Sequence, residues 1–171
     1  MLILSEAHEQ DAERLFRLYC DICRVREDLG FEIGKATIQE FAELLCGTSK
    51  RRAVYFIAQH EQTDIGLASI QGHASSEMAH LASCSIGLRE QWRGKGFGKM
   101  ILKDLEEWSM EHQLLRIETC IDFDNRAALL LFGTSGYRVE GIRKSAFMRD
   151  GKLKDGFYMA KQITAQNEET K

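Results

Sequence analysis

The chain predicts one α/β (α+β) domain, built on a mixed, mostly antiparallel sheet of about seven strands with about four helices. The prediction rests on three observations. A short apolar run at 79–88, a glycine-rich corner, an amphipathic stretch at 97–112 and a second apolar run at 114–121 read as strand, helix and strand, and a right-handed crossover makes the two strands parallel neighbours. Two further pairs of strand-like runs, 53–58 with 65–72 and 137–142 with 156–159, carry polar turn signals between them, which favours antiparallel pairing. Finally, 171 residues carry no Pro-rich or Gly/Ser-rich linker, internal repeat or low-complexity tract, so a single core is expected over 1–163, with a polar tail over 164–171.

Each element has its own signal. Residues 1–4 can form a first strand, and over 9–26 Ala12, Leu15, Phe16, Tyr19, Ile22 and Cys23 fall on one helical face. Gly30 and Gly34 bracket a loop; Thr37 with Glu40 three residues on reads as a capping box for a helix carrying Ile38, Phe41, Leu44 and Leu45. The β-rich runs 53–58 and 65–72 flank the polar segment 60–64 and read as a hairpin. In the helix after the glycine corner, Ile101, Leu105 and Trp108 share a face. Residues 122–125 supply turn and cap chemistry for a fourth helix through Ala128, Leu131 and Phe132, which Gly136 stops. The last strands, 137–142 and 156–159, are joined by Arg149-Asp150-Gly151.

Composition excludes several classes. With 23 basic and 26 acidic residues the net charge is −3, which gives no case for nucleic acid, and Lys50-Arg51-Arg52 reads as a solvated loop. No run of about eighteen apolar residues exists and residues 1–5 lack a signal-peptide pattern, so a soluble cytoplasmic protein with no membrane partner is expected. Five cysteines, odd in number and set among apolar neighbours, argue against a disulfide framework and are expected reduced and buried. Cys20-x-x-Cys23 lies inside a helical pattern, and the five histidines show no ligand spacing, so no metal is expected.

The segment Arg93-Gly94-Lys95-Gly96-Phe97-Gly98 carries the chemistry. Glycines at a strand-to-helix corner let backbone N–H groups converge where a helix start already favours an anion. Arg89, Arg93, Lys95, Lys99 and Lys103 add positive charge to a chain that is acidic overall. The spacing G-x-G-x-G misses the dinucleotide fingerprint by one position, the phosphate loop G-x-x-x-x-G-K-[ST] is absent, and Glu118 sits mid-strand rather than where a ribose-binding acid belongs. On the residues alone, an anion cradle and a plain tight turn both stand.

The chain resembles the GCN5-related N-acetyltransferases, whose acetyl-CoA loop reads [QR]-x-x-G-x-[GA]; Arg93-x-x-Gly96-x-Gly98 matches it. Asn125-Arg126-Ala127-Ala128 through Leu131-Phe132 to Gly136-Tyr137 is similar to the family's N-x-x-A…L-Y-x-x-x-G-F segment, and 141–159 with Asp155 to its ending; the nearest flavour is the ribosomal-protein and small-amine subgroup. The resemblance implies the family fold around the parallel strand-helix-strand unit, acetyl-CoA as cosubstrate, and transfer of its acetyl group to a primary amine. It also allows a homodimer. It implies that Arg93, Gly94, Lys95, Gly96, Phe97, Gly98 and Lys99 hold the pyrophosphate. The preceding strand is expected to be bulged and splayed, with backbone groups of Ile86, Gly87 and Leu88 pairing with pantetheine and one N–H polarising the thioester carbonyl. Gly87 inside that strand fits a bulge or a close backbone approach. Asn125 matches a CoA-contacting Asn and is equally an N-cap.

The catalytic pair departs from the family. Leu81-Ala82-Ser83-Cys84-Ser85 holds no carboxylate where relatives carry Glu, and Phe132 stands where relatives carry a Tyr that protonates the thiolate. Tyr137 reads as a core ring. A free aliphatic amine has a pKa around 10, so a base or desolvation is needed; water relayed by Ser83 or Ser85, or Glu32 from the first loop, are the candidates. The acceptor pocket falls to 27–35, with Leu29, Phe31 and Ile33, and to the final strands.

Overall fold

The computed structural model describes residues 1–23, 37–46, 53–149 and 151–163. Its elements in order are β1 (Leu2–Glu6), α1 (Ala12–Cys23), α2 (Ile38–Cys46), β2 (Ala53–His60), β3 (Thr63–Gly72), β4 (Leu81–Leu88), α3 (Phe97–Glu111), β5 (Arg116–Asp122), α4 (Arg126–Thr134), β6 (Arg138–Arg149) and β7 (Lys152–Gln162). The seven strands form one sheet ordered β1-β2-β3-β4-β5-β7-β6. All neighbours are antiparallel except β4 and β5, so the strand-helix-strand unit predicted from the sequence is present. Glu32, Lys50-Arg51-Arg52, the segment 27–35 and the tail 164–171 lie outside the described residues.

Two apolar layers sandwich the sheet. On one face Ile101, Leu102 and Leu105 of α3 and Phe132 of α4 pack with Ala82, Cys84, Ile117 and Ile121. On the other, Leu15, Leu18 and Ile22 of α1 and Phe41 and Leu45 of α2 cover Tyr55, Ile57 and Leu67. The second face therefore shields β2 and β3. The capping box at α2 forms, with Thr37 N–H donating to Glu40 Oε2 at 2.6 Å and Glu40 N–H donating to Thr37 Oγ1 at 3.3 Å.

Several boundaries move. β6 and β7 form a ribbon of 12 and 11 residues, much longer than the runs 137–142 and 156–159, because paired backbone continues through polar sequence without an apolar signal. The hairpin between β2 and β3 is tighter than 60–64, since Glu61 and Gln62 both take positive φ (47° and 67°) and close a two-residue turn. The fourth strand starts at Leu81, after a 3-10 turn over Ser76–Met78. Among the four cysteines whose side chains are described, Cys20, Cys46, Cys84 and Cys120, the expectation of burial holds for Cys84 only, and Cys46 is exposed at the end of α2.

Candidate functional site

β4 and β5 pair for only three positions, Leu81 with Arg116, Ala82 with Ile117 and Ser83 with Glu118. Beyond them β4 runs on to Leu88 and β5 to Asp122, so two interior strand edges face each other unpaired. A cavity of about 450 Å³ opens there, lined by Ile86, Gly87 and Leu88 from β4, Arg93, Gly94, Gly96, Gly98 and Lys99 from the corner, and Asn125 at the start of α4. A smaller hollow of about 60 Å³ continues it between the strands; the two share Ile86, Asn125 and Ala128. Nine of the eleven candidate cofactor residues thus meet in one cavity, while the side chains of Lys95 and Phe97 do not line it.

The three glycines of the corner have two different causes. Gly94 (φ +70°) and Gly96 (φ +86°) occupy left-handed backbone with open space at the Cβ position, so handedness alone excludes other residues. Gly98 has ordinary backbone, but a Cβ there would stand 3.2 Å from Leu131 Cδ2; glycine is what lets α3 approach α4. Lys99 and Met100 donate their N–H groups back to the Gly96 carbonyl at 3.1 and 3.3 Å, the first helical bonds. Ahead of them the first-turn N–H groups of α3 have no helical acceptor, the property that makes a helix start suited to an anion.

The basic cluster divides its duties. Arg89 pins the end of β4, donating to Asp21 Oδ2 at 2.7 Å and to the Asp64 carbonyl at 2.6 Å. Arg93 Nε donates to the Leu88 carbonyl at 2.9 Å and folds the corner onto the strand. Lys95 lies over the Trp92 ring, Lys103 pairs with Glu107, and Lys99 lines the cavity. Phe97 packs against His60 and Trp92, with ring centroids 4.9 and 5.4 Å away, and so anchors the corner.

One expectation needs correction. β4 is splayed from β5 but not bulged: its pairing with β3 runs in unbroken register from Gly66–Leu88 to Gly72–Ala82. The parting follows from the short β4–β5 ladder instead. Gly87 does take part in a close backbone approach, with β3: a Cβ at Gly66 would stand 2.5 Å from the Gly87 carbonyl oxygen. Asn125 does cap α4, its side chain accepting from the Ala128 N–H at 3.2 Å, and it lines the cavity as well.

Phe132 lines the small hollow without a hydroxyl, and Tyr137, 3% exposed, packs edge-on against it as a core ring. Burial, then the nearby Glu106 carboxylate, pushes the Cys84 thiol up to about 12. Ser85 lines the hollow and Ser83 is exposed at the last paired position. The reading from sequence missed a network on the face of β5 opposite α3. Glu118, 6% exposed, receives Arg116 Nε at 2.6 Å and the Tyr158 hydroxyl, while Arg116 also bonds Glu140. Burial and the bond to Glu118 push the Tyr158 phenol up to about 12. The signal was the alternation of polar residues Arg116, Glu118, Cys120 and Asp122 along β5, which reads as one face of a strand. Among the described residues no cluster of His, Cys, Asp or Glu has metal-binding geometry, and no helix is long and apolar enough to cross a membrane.

Comparison with known proteins agrees with this geometry. The family model of the acetyltransferase (GNAT) family matches residues 12–137. The L-amino acid N-acetyltransferase AaaT of Escherichia coli (strain K12) is 24% identical over 98 residues, 57% of this chain and 60% of that enzyme's length. The ribosomal-protein-alanine N-acetyltransferase of Brucella melitensis superposes with a TM-score of 0.83 at 21% identity, covering 94% of this chain and 99% of that one. A phosphinothricin acetyltransferase from Sinorhizobium meliloti, solved in complex with AcCoA, gives 0.82 at 20% identity over 95% and 88%. The interior gap in the sheet, the glycine corner at its mouth and the family match across most of the chain lead to one conclusion: this chain belongs to the acetyltransferase (GNAT) family, whose reaction is acyl transfer from acetyl-CoA.

Proposed function

We propose that this chain is a cytoplasmic N-acetyltransferase, its domain spanning 1–163, that moves the acetyl group of acetyl-CoA directly to a primary amine in a ternary complex. The acceptor amine belongs to a small molecule or a protein N-terminus, in keeping with the amino acid and ribosomal-protein-alanine acetyltransferases it resembles. The observation that carries this reading is the parting of β4 from β5 over a cavity that ends at the glycine corner. Unpaired strand backbone suits the amides of pantetheine, and a glycine-built helix start suits a pyrophosphate.

In this reading the N–H groups of Gly94, Lys95, Gly96, Phe97 and Gly98 hold the pyrophosphate with Arg93 and Lys99. Ile86, Gly87 and Leu88 pair with pantetheine beside Asn125, and a β4 N–H polarises the thioester carbonyl. When bound, acetyl-CoA supplies an activated acyl carbon. The neutral amine attacks it, a C–N bond replaces the C–S bond, and the proton lost by nitrogen ends on the CoA thiol. Both oxygens of Glu118 already accept hydrogen bonds, from Arg116 and Tyr158, so the base role falls to water held at Ser85, which would relay the nitrogen's proton to the departing sulfur. The test is release of free thiol from acetyl-CoA over a panel of amino acids, polyamines, aminoglycosides and N-terminal peptides. Amine-dependent release is expected. Thermal stabilisation by acetyl-CoA without release from any amine would make the chain an acyl-CoA-binding module.

A further inference from the structure

Residues directly opposite one another in antiparallel strands share a face, so the open face of β5, β7 and β6 can be read in rows. Asp122, Gly156 and Arg143 form one row; Cys120, Tyr158 and Gly141 form the next. Both rows lie along the stretch of β5 that has left β4. Between Arg143 and Phe147 the register of the β6–β7 ribbon breaks, with Ser145 in left-handed backbone (φ +53°). Asp155 staples the break: its carboxylate accepts from the Ser145 N–H at 2.9 Å and from Lys144 Nζ at 2.7 Å. The extra residues carry the Phe147 ring back over Gly156, where an added Cβ would stand 2.7 Å from the ring and 2.8 Å from Cys120 Sγ. Phe147 thereby becomes a wall of the small hollow, beside Cys120 and Ser85.

The charges on and around this face are mostly matched. Asp122 is taken up by Arg149 Nε at 2.8 Å, Glu118 by Arg116, Asp155 by Lys144, and Asp124 by Lys154. Arg143 stands in the Asp122 row, exposed, and among the described residues it forms no ion pair with a carboxylate. Its guanidinium acts on the Cys120 thiol, opposing the burial that pushes that thiol up. A polyamine would bring further positive charge to this cation, whereas an acceptor carrying an anion would complement it.

Resting on the acetyl-transfer reading above, we propose that the acceptor is a small amino-acid-like amine. Its carboxylate pairs with Arg143, its apolar side group lies on Phe147, and its amino group faces the gap between β4 and β5. Arg143 and Phe147 are specificity residues, and Asp155 is the positioning residue that places Phe147.

The experiment compares thiol release from acetyl-CoA with matched acceptors, L-phenylalanine against phenethylamine and L-leucine against isoamylamine, in the unmodified protein, Arg143→Gln and Arg143→Lys. The amino acid of each pair is expected to be preferred by about tenfold or more in kcat/KM, the scale of one charge-assisted contact. Arg143→Gln should erase that preference and Arg143→Lys should keep part of it, with the KM for acetyl-CoA unchanged in both. Equal use of the two members of each pair, or a preference that survives Arg143→Gln, overturns the proposal and leaves acetyl transfer standing. No release with either kind of amine, when no other amine works, overturns both.

Discussion

The two sides of the gap between β4 and β5 are built by different means. On the proposed cofactor side, contiguous residues 86–99 are shaped by backbone: Gly94 and Gly96 set the handedness of the corner, and the helix start leaves N–H groups without helical acceptors. On the proposed acceptor side, residues from three strands come together by register, Glu118 and Cys120 from β5, Gly156 and Tyr158 from β7, Arg143 and Phe147 from β6. The first design depends on local conformation and tolerates change in side chains that point away, such as Lys95. The second depends on pairing between residues up to 40 positions apart, as in the Tyr158–Glu118 bond, so one altered side chain disturbs several.

The largest expected effect tests how strongly the acceptor face is held together. Glu118→Ala leaves Tyr158 without its buried acceptor and Arg116 with Glu140 alone, and it should lower the unfolding free energy by about 3 kcal/mol. Denaturant titration measures this; a loss below about 1 kcal/mol would show that the network contributes little to folding.

A pair of glycine substitutions should then separate the two sides. Gly96→Ala forces a Cβ into left-handed backbone at a cost of about 1–2 kcal/mol and should raise the KM for acetyl-CoA several-fold. Gly156→Ala meets the Phe147 ring, the Cys120 sulfur and, at 3.1 Å, the Ile121 carbonyl, and overpacking of about 1–3 kcal/mol should appear in the acceptor KM. If each substitution moved both constants equally, the two sides would be one mechanical unit.

The smallest effect concerns the staple. Lys144 and then the Ser145 N–H hold the Asp155 carboxyl below the usual carboxylate range. Because the folded value is depressed, its contribution is present above the unfolded value near 4 and is lost as pH falls through the folded one. Amide exchange at Ser145, after correction for the intrinsic rate, should lose protection over that acid window, and Asp155→Asn should weaken it at neutral pH. Unchanged protection in Asp155→Asn would remove the staple from the account.

Much of the fold was legible because it rests on local patterns. The apolar stripe of α3, the capping box Thr37/Glu40 and the stop at Gly136, whose φ is +92°, are each fixed within a few residues. The full β6–β7 ribbon was not, since Lys152, Lys154 and Arg149 carry no strand signal and extend the ladder only because a partner strand lies beside them. Gly66 was missed for a similar reason: the carbonyl it must clear belongs to Gly87, 21 residues away.

By itself, the sequence determined the strand-helix-strand unit and its glycine corner, because hydrophobic period and glycine's access to positive φ are properties of neighbouring residues. Only the tertiary structure decided where β4 leaves β5, that no bulge is needed for it, and which side chains face the gap. Those outcomes depend on register between distant strands, where shifting by one residue turns every side chain to the opposite face.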